Sequence, residues 1–286
     1  MTNICNCQHK GCTRTTTAPE FDNWTRITLK NRGGRSAYLC PYHADNDGNS
    51  GYTFENNMRR GGEKSHGFTA SFEFEMEHSD ATMRAELLNV GFVPTSDVTT
   101  GCEFKSPIYN SFNPMPKKFQ TIEQLLNYGH GIIGAGDGTH CHIGHVEHIN
   151  PETMRQITRF YHSLFVPLSD AMQADTAATV ALFGRDFNRW ACAIDRNSVP
   201  DNHANFINVE HDYTLEFRIC KFRSAAQYME AVRFCRAATE CIINNFVLHF
   251  NDDKPNMLEH RRHKAAITGN KLVKLFKKHA AAAARF

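Results

Sequence analysis

Tyr213-Thr214-Leu215-Glu216-Phe217-Arg218-Ile219 alternates apolar and polar side chains. So do Ser71-Phe72-Glu73-Phe74-Glu75-Met76-Glu77 and Gly138-Thr139-His140-Cys141-His142-Ile143-Gly144. Successive side chains of a strand point to opposite faces, so each run predicts a strand with its polar residues on one side and its apolar residues on the other. If the strands share a sheet, one face collects Glu73, Glu75, His140, His142, Glu216 and Arg218. Glu77 joins that row if its strand runs on. Carboxylate oxygens suit Mg²⁺ and a guanidinium suits phosphate, so such a face points to an ATP-using enzyme.

Each run also has a plainer reading. Glu73 and Glu75 crowd one face, and their mutual repulsion calls for cations, yet any half-buried strand with solvated Glu shows the same alternation. Glu216 and Arg218 would pair a metal ligand with a phosphate clamp, or form a surface ion pair of small energetic weight. His140 and His142 follow Gly134-Ala135-Gly136-Asp137-Gly138, which permits close backbone approach to a ligand. No Gly-Lys-Ser/Thr follows, so this is not a Walker loop, and an ordinary turn is the alternative. Zinc at His140 and His142 needs a third ligand, which Cys141 on the opposite strand face does not supply.

The rest of the chain places these runs in a mixed architecture. Residues 1–66 are rich in Cys, Gly, Asn, Thr and Arg, with 45–65 reading as a linker or long loop. From Gly67 onward the pattern predicts a strand to Glu77 and a helix over Ala81–Val90 ending at Gly91. Short strands follow at Phe92–Val93 and Gly101–Lys105, then a helix over Thr121–Tyr128 with Thr121 as N-cap. A long helix covers Pro151–Ala174, opened by Asn150 and Pro151. The strand Val209–Ile219, an amphipathic helix over Ser224–Phe250 and a basic helix over Asn256–Arg285 complete the reading. Strands and helices mix without regular βαβ alternation, which favours an α+β fold with an antiparallel sheet. Two units are expected: a Cys/His-rich module with linker over 1–66 and a catalytic domain over 67–286.

Taken together, these residues resemble the amidoligase family of the carboxylate–amine ligase superfamily, alongside glutamine synthetase and the glutamate–cysteine ligases. The resemblance rests on Phe72-Glu73-Phe74-Glu75, on Asp97 followed by Gly101-Cys102-Glu103-Phe104-Lys105-Ser106-Pro107, and on Gly138–Gly144. Arg185, Arg189-Trp190 and Thr214-Leu215-Glu216-Phe217-Arg218 complete it, in the family's order and over about Gly67 to Phe250. The opening Ala70-Ser71-Phe72-Glu73 departs from the family's Gly-x-Glu, and Val98-Thr99-Thr100 follows Asp97 where a glycine or serine is usual. The resemblance implies a curved antiparallel sheet backed by helices, a glutamine synthetase-like catalytic fold with ATP and Mg²⁺ (or Mn²⁺) on its concave face. It implies Glu73, Glu75, Glu103 and Glu216 as metal ligands, and His140 and His142 near nucleotide phosphates or metal. Arg185, Arg189 and Arg218 would neutralise the transferred phosphoryl group or bind the acid substrate. The implied reaction is phosphorylation of a carboxylate by ATP, then attack of an amine on the acyl phosphate to give an amide. The acid and the amine would be small molecules, peptides or modified nucleobases, as in bacterial and phage members, and the superfamily often assembles into homo-oligomers. A kinase of the same fold is the nearest alternative.

Cys5, Cys7, Cys12, Cys40 and His43 form a second constellation, in which Cys40-Pro41-Tyr42-His43 has knuckle-like spacing. Thiolates and an imidazole in a small polar segment suggest structural Zn²⁺, with more candidates than a tetrahedral site holds. Ordinary reduced thiols are the alternative. Arg14, Arg26, Lys30, Arg32 and Arg35 beside Trp24 and Tyr38 would let such a module contact nucleic acid, which makes a zinc-containing nucleic-acid-binding protein the third reading. At the other end, Arg261, Arg262, Lys264, Lys271, Lys274, Lys277 and Lys278 surround Ile267, Leu272, Val273, Leu275 and Phe276. That pattern reads as a helix packing an apolar stripe with its charges in water. The chain of 286 residues carries a formal net charge of +2, which gives no global argument for nucleic acid. No run is long enough to span a membrane and no apolar leader opens the chain. Ten cysteines without an export signal read as thiols and metal ligands of a cytoplasmic protein rather than as a disulfide framework.

Overall fold

The structure, a computed structural model, describes residues 67–95, 102–106, 108–109, 115–145, 147–200, 202, 204–249 and 257–286, with the backbone of four short strands before them. Those four pair antiparallel as two ribbons: β1 (Cys5–Asn6) with β2 (Thr15–Thr16), and β3 (Thr25–Leu29) with β4 (Arg35–Leu39). The expected zinc ligands Cys7, Cys12, Cys40 and His43 lie outside the described residues, and Cys5 is described only as a backbone position in β1. Asp97, Gly101 and Pro107 also lie outside them.

In chain order there follow β5 (Phe68–Met76), β6 (His78–Ser79), α1 (Ala81–Asn89), β7 (Val93–Thr95), β8 (Cys102–Lys105), α2 (Met115–Asn127), β9 (Gly131–Ile132) and β10 (Thr139–His145). Then come α3 (Pro151–Arg159), α4 (Tyr161–Ala174), α5 (Thr176–Phe183), β11 (Ile207–Asn208), β12 (Leu215–Phe217), α6 (Ala225–Asn245) and α7 (Met257–Ala283). Six strands form one sheet in the order β11-β12-β10-β5-β8-β7, and every neighbouring pair is antiparallel. This is the mixed α and β architecture with an antiparallel sheet that the alternating runs predict. Among the described residues no helix is long and apolar enough to cross a membrane.

Register explains how the two faces of the sheet separate. Cys141 lies opposite Phe72 and Phe217, and Phe74 lies opposite Phe104 and Thr139. The apolar side chains of these rows, with Met76, Ile143 and Leu215, are fully buried. They meet α2 and α6, where Phe119 and Tyr228 pack edge-on at 4.9 Å and Phe119 meets Phe72 at 5.2 Å. Burying each such ring contributes on the order of 1.5–3 kcal/mol. The Tyr228 hydroxyl donates to the Thr139 carbonyl at 3.2 Å, so the ring also satisfies its polar end beneath β10. α7 packs against α4 and α6 outside this layer through Ala265, Thr268, Gly269, Leu272, Phe276 and Ala280. At Gly269 an added Cβ would stand 2.6 Å from the Ser163 carbonyl oxygen, so only glycine permits that helix crossing.

Local chemistry sets the element boundaries. Asn150 accepts from the Glu152 and Thr153 amides, Thr153 Oγ1 accepts from the Asn150 amide, and Pro151 opens α3. The predicted single helix to Ala174 is instead two, α3 and α4, meeting at Phe160. Phe160 and Tyr161 are both buried there, Phe160 against Phe246 at 5.3 Å and Tyr161 through a 2.7 Å hydrogen bond to the Ile207 carbonyl. α2 begins at Met115, six residues ahead of Thr121, whose hydroxyl bonds back to the Lys117 carbonyl. Of the predicted strand Val209–Ile219 only Leu215–Phe217 is a strand, β12, and the residues before it form the turn that links it to β11. Asn208 Oδ1 accepts from the Glu210 amide, turning the chain so that β12 returns along β11. α5 was not expected; the Asp175 side chain caps it and Gly184, with φ of 78°, closes it.

Candidate active site

The polar face of the sheet gathers the residues that alternation places there. Glu73 lies opposite both His140 and Lys105, Glu75 opposite Glu103, and Glu216 opposite His142 and Asn208. Directly opposed residues share a face, so Glu73, Glu75, Glu103, Glu216, His140 and His142 stand together on four adjacent strands. Glu77 does not extend the row: β5 ends at Met76, and Glu77 is exposed.

Glu216, almost fully buried, is the hub. Its Oε1 accepts from Arg218 Nη1 at 2.7 Å and lies 3.1 Å from His140 Nδ1. Its Oε2 accepts from Asn208 Nδ2 at 2.8 Å and contacts His211 Nε2 at 3.1 Å. Glu73 faces Lys105 Nζ at 3.0 Å and His140 Nδ1 at 3.4 Å, so His140 Nδ1 bridges two carboxylates while its Nε2 lies 3.5 Å from Glu75 Oε1. Glu75 Oε2 accepts from the Gly138 amide at 2.6 Å. A Cβ on Gly138 would stand 2.9 Å from His140 Nε2 and 3.2 Å from Glu75 Oε2, which accounts for glycine at that point of the loop.

Burial and attraction oppose each other throughout. Burial alone would raise the Glu73 carboxyl, but the neighbouring His142 and His140 overcome it and hold it well below the usual carboxylate range. Glu216 behaves alike, with burial outweighed by His140 and His211. Burial would lower His140, but hydrogen bonds to Glu216 and Glu73 win and lift it to about 9. The Glu216 hydrogen bond likewise raises His211 against the effect of burial. The histidines, with Lys105 beside Glu73 and Arg218 beside Glu216, offset the charge of the crowded carboxylates.

Two buried nitrogens make no hydrogen bond among the described residues. His142 Nε2 has no hydrogen-bond partner among the described residues, with Glu73 Oε1 at 3.5 Å and Glu216 Oε1 at 4.0 Å. Arg218 Nε is also without one. One donor atom from each of Glu73, His142 and Glu216 lies within 4.8 Å of the other two. Two carboxylate oxygens and an imidazole nitrogen fit a divalent ion of the Mg²⁺, Mn²⁺ or Zn²⁺ type. Glu75 and Glu103 flank this triad, and Lys105 Nζ reaches Glu103 at 3.6 Å.

The expected arginines are distributed differently. Arg185 is buried at the edge of the face, where Nε donates to the Ile219 carbonyl and Nη1 to the Asp137 carbonyl, each at 3.2 Å, and Nη2 to the Arg218 carbonyl. Burial lowers its pKa. It ties the glycine-rich loop to the end of β12, which makes it a positioning residue. Arg189 is exposed, its guanidinium 4.8 Å from the Trp190 ring, and no contact among the described residues joins it to the carboxylates. Sequence reasoning missed Asn208 and His211, and gave Lys105 no role. Asn208 and His211 reach Glu216 only because the chain turns between β11 and β12.

No known family model matches this chain, and no curated protein matches it.

Proposed function

We propose that the protein is an ATP-dependent carboxylate–amine ligase, working through an acyl phosphate, with Mg²⁺ or Mn²⁺ held by Glu73, His142 and Glu216. The supporting observation is the convergence of four carboxylates, two histidines and Arg218 on one sheet face, with the nitrogens of His142 and Arg218 left over. When bound, a divalent ion screens phosphate charge during phosphoryl transfer. Arg218, anchored through Nη1 to Glu216, would present Nε to a phosphate oxygen. His140 holds Glu73 and Glu216 in position, and Arg185 fixes the loop that places Gly138 against Glu75. In the first step the substrate carboxylate oxygen bonds to the γ-phosphorus of ATP and ADP leaves. In the second the amine bonds to the acyl carbon, phosphate leaves with the carboxylate oxygen, and Glu75 Oε1 takes the amine proton. Under the same reading four of Cys5, Cys7, Cys12, Cys40 and His43 would hold a structural Zn²⁺, checked by the zinc content of the purified chain.

Oxygen-18 transfer tests the reaction. With an ¹⁸O-labelled acid, the ligase reading expects one label in released phosphate and a product lighter by one water than acid plus amine. A phosphorylated acid or guanidino compound accumulating without amide would replace it with the kinase reading.

A further inference from the structure

Where α3, α4 and α7 meet, a cavity of about 230 Å³ is lined by Arg159, Phe160, His162, Ser163, Leu258 and Arg262. Two guanidiniums, an imidazole and a hydroxyl line it, and among the described residues no carboxylate does. Arg159 closes α3, His162 and Ser163 lie in the first turn of α4, and Arg262 is six residues into α7. Asp195 lies within electrostatic reach of His162, and the acid of α3, Glu152, is engaged by Arg155 at 2.5 Å and by Gln156 at 3.1 Å. Two like charges brought from separate helices to one small cavity repel each other, and an anion between them turns that repulsion into attraction.

The donors suit a phosphate group. Guanidinium forks match phosphate oxygens in pairs, and a serine hydroxyl adds a further donor. Phe160 is at once the C-cap of α3 and the N-cap of α4, so the opposed helix ends offset each other there and the guanidiniums carry the positive charge. His162 Nε2 lies 2.7 Å from the Ser198 carbonyl oxygen, which holds the ring in place. Phe160 and the half-exposed Leu258 add an apolar wall, which a bare inorganic ion would not use. We infer that this cavity binds the phosphate group of an organic phosphate, with Arg159 and Arg262 as its clamps. None of these residues takes part in the sheet-face cluster, so the inference stands apart from the ligase reading.

Calorimetric titration of the full chain with phenyl phosphate, in buffer without added Mg²⁺ or Mn²⁺, tests it. The wild type and Glu216→Ala should bind equally. Arg159→Ala/Arg262→Ala should weaken binding at least about tenfold, and Arg159→Lys/Arg262→Lys should fall between. Both arginines are exposed, and an unchanged unfolding temperature certifies the variants. A 5′-phosphorylated pentanucleotide identifies the source of the phosphate: binding at the same arginines assigns a nucleic-acid end, and its failure beside phenyl phosphate assigns a small ligand. Absence of binding of both probes to the wild type, or equal phenyl phosphate binding by the alanine variant, would overturn the inference.

Discussion

Replacing Asn208 with alanine tests the geometry around Glu216 without touching a proposed metal ligand. Asn208 is fully buried, and its Nδ2 donates to Glu216 Oε2 at 2.8 Å. A hydrogen bond to a charged group contributes about 1.5–3 kcal/mol when its loss leaves a buried acceptor short of a donor. Glu216 Oε2 would then rely on His211, whose side chain is 45% exposed and less firmly held. For a chain of this size that cost lowers the unfolding temperature by about 3–12 °C. Residues that orient metal ligands typically affect affinity by about 10- to 100-fold, so Mn²⁺ binding should weaken within that range. Thermal unfolding followed by circular dichroism and Mn²⁺ titration by electron paramagnetic resonance read the two effects. Asn208→Ala with unchanged stability and unchanged Mn²⁺ affinity would show that Glu216 is not held as described.

Other perturbations probe the helical layers. Gly269→Ala sets a Cβ against the Ser163 carbonyl and should destabilise by about 1–3 kcal/mol, read by urea unfolding; a neutral result would refute the close α4–α7 crossing. Glu230, buried on α6, lies 2.6 Å from His279 Nδ1 and 2.9 Å from Arg233 Nη1. Burial would raise its carboxyl, but these partners outweigh burial and lower it. A depressed folded-state pKa adds stability above the ordinary carboxyl range, and that stability is lost as pH falls through the folded value. Glu230→Gln should therefore be less stable than wild type at neutral pH, with the gap closing in acid; a gap independent of pH would exclude this linkage.

The sequence exposes the strands because their period is simple. Phe72-Glu73-Phe74-Glu75 and His140-Cys141-His142 alternate, and antiparallel pairing carries that alternation directly into two chemically distinct faces. Capping signals at Asn150 and Ser224 are equally local and stand where the sequence places them or beside the predicted start. Asn208 is harder to read, because its reach to Glu216 depends on a hairpin that continues an unbroken strand-like pattern. α5 hides for another reason: Thr176-Ala177-Ala178-Thr179-Val180-Ala181-Leu182-Phe183 lacks an alternating polar face, although Asp175 and Gly184 bracket it. Arg185 shows how residue type can mislead about role. A guanidinium suggests phosphate, but this one is occupied by backbone carbonyls that only the folded chain brings within reach.

The most direct test of the metal–nucleotide face is calorimetric titration of ATP into the wild type and Glu216→Ala, with Mg²⁺ or Mn²⁺ and then without either ion. The account predicts binding by the wild type that requires the metal and is lost in Glu216→Ala. A folded wild type that binds no ATP in either metal, or a variant that binds as well as the wild type, would contradict it.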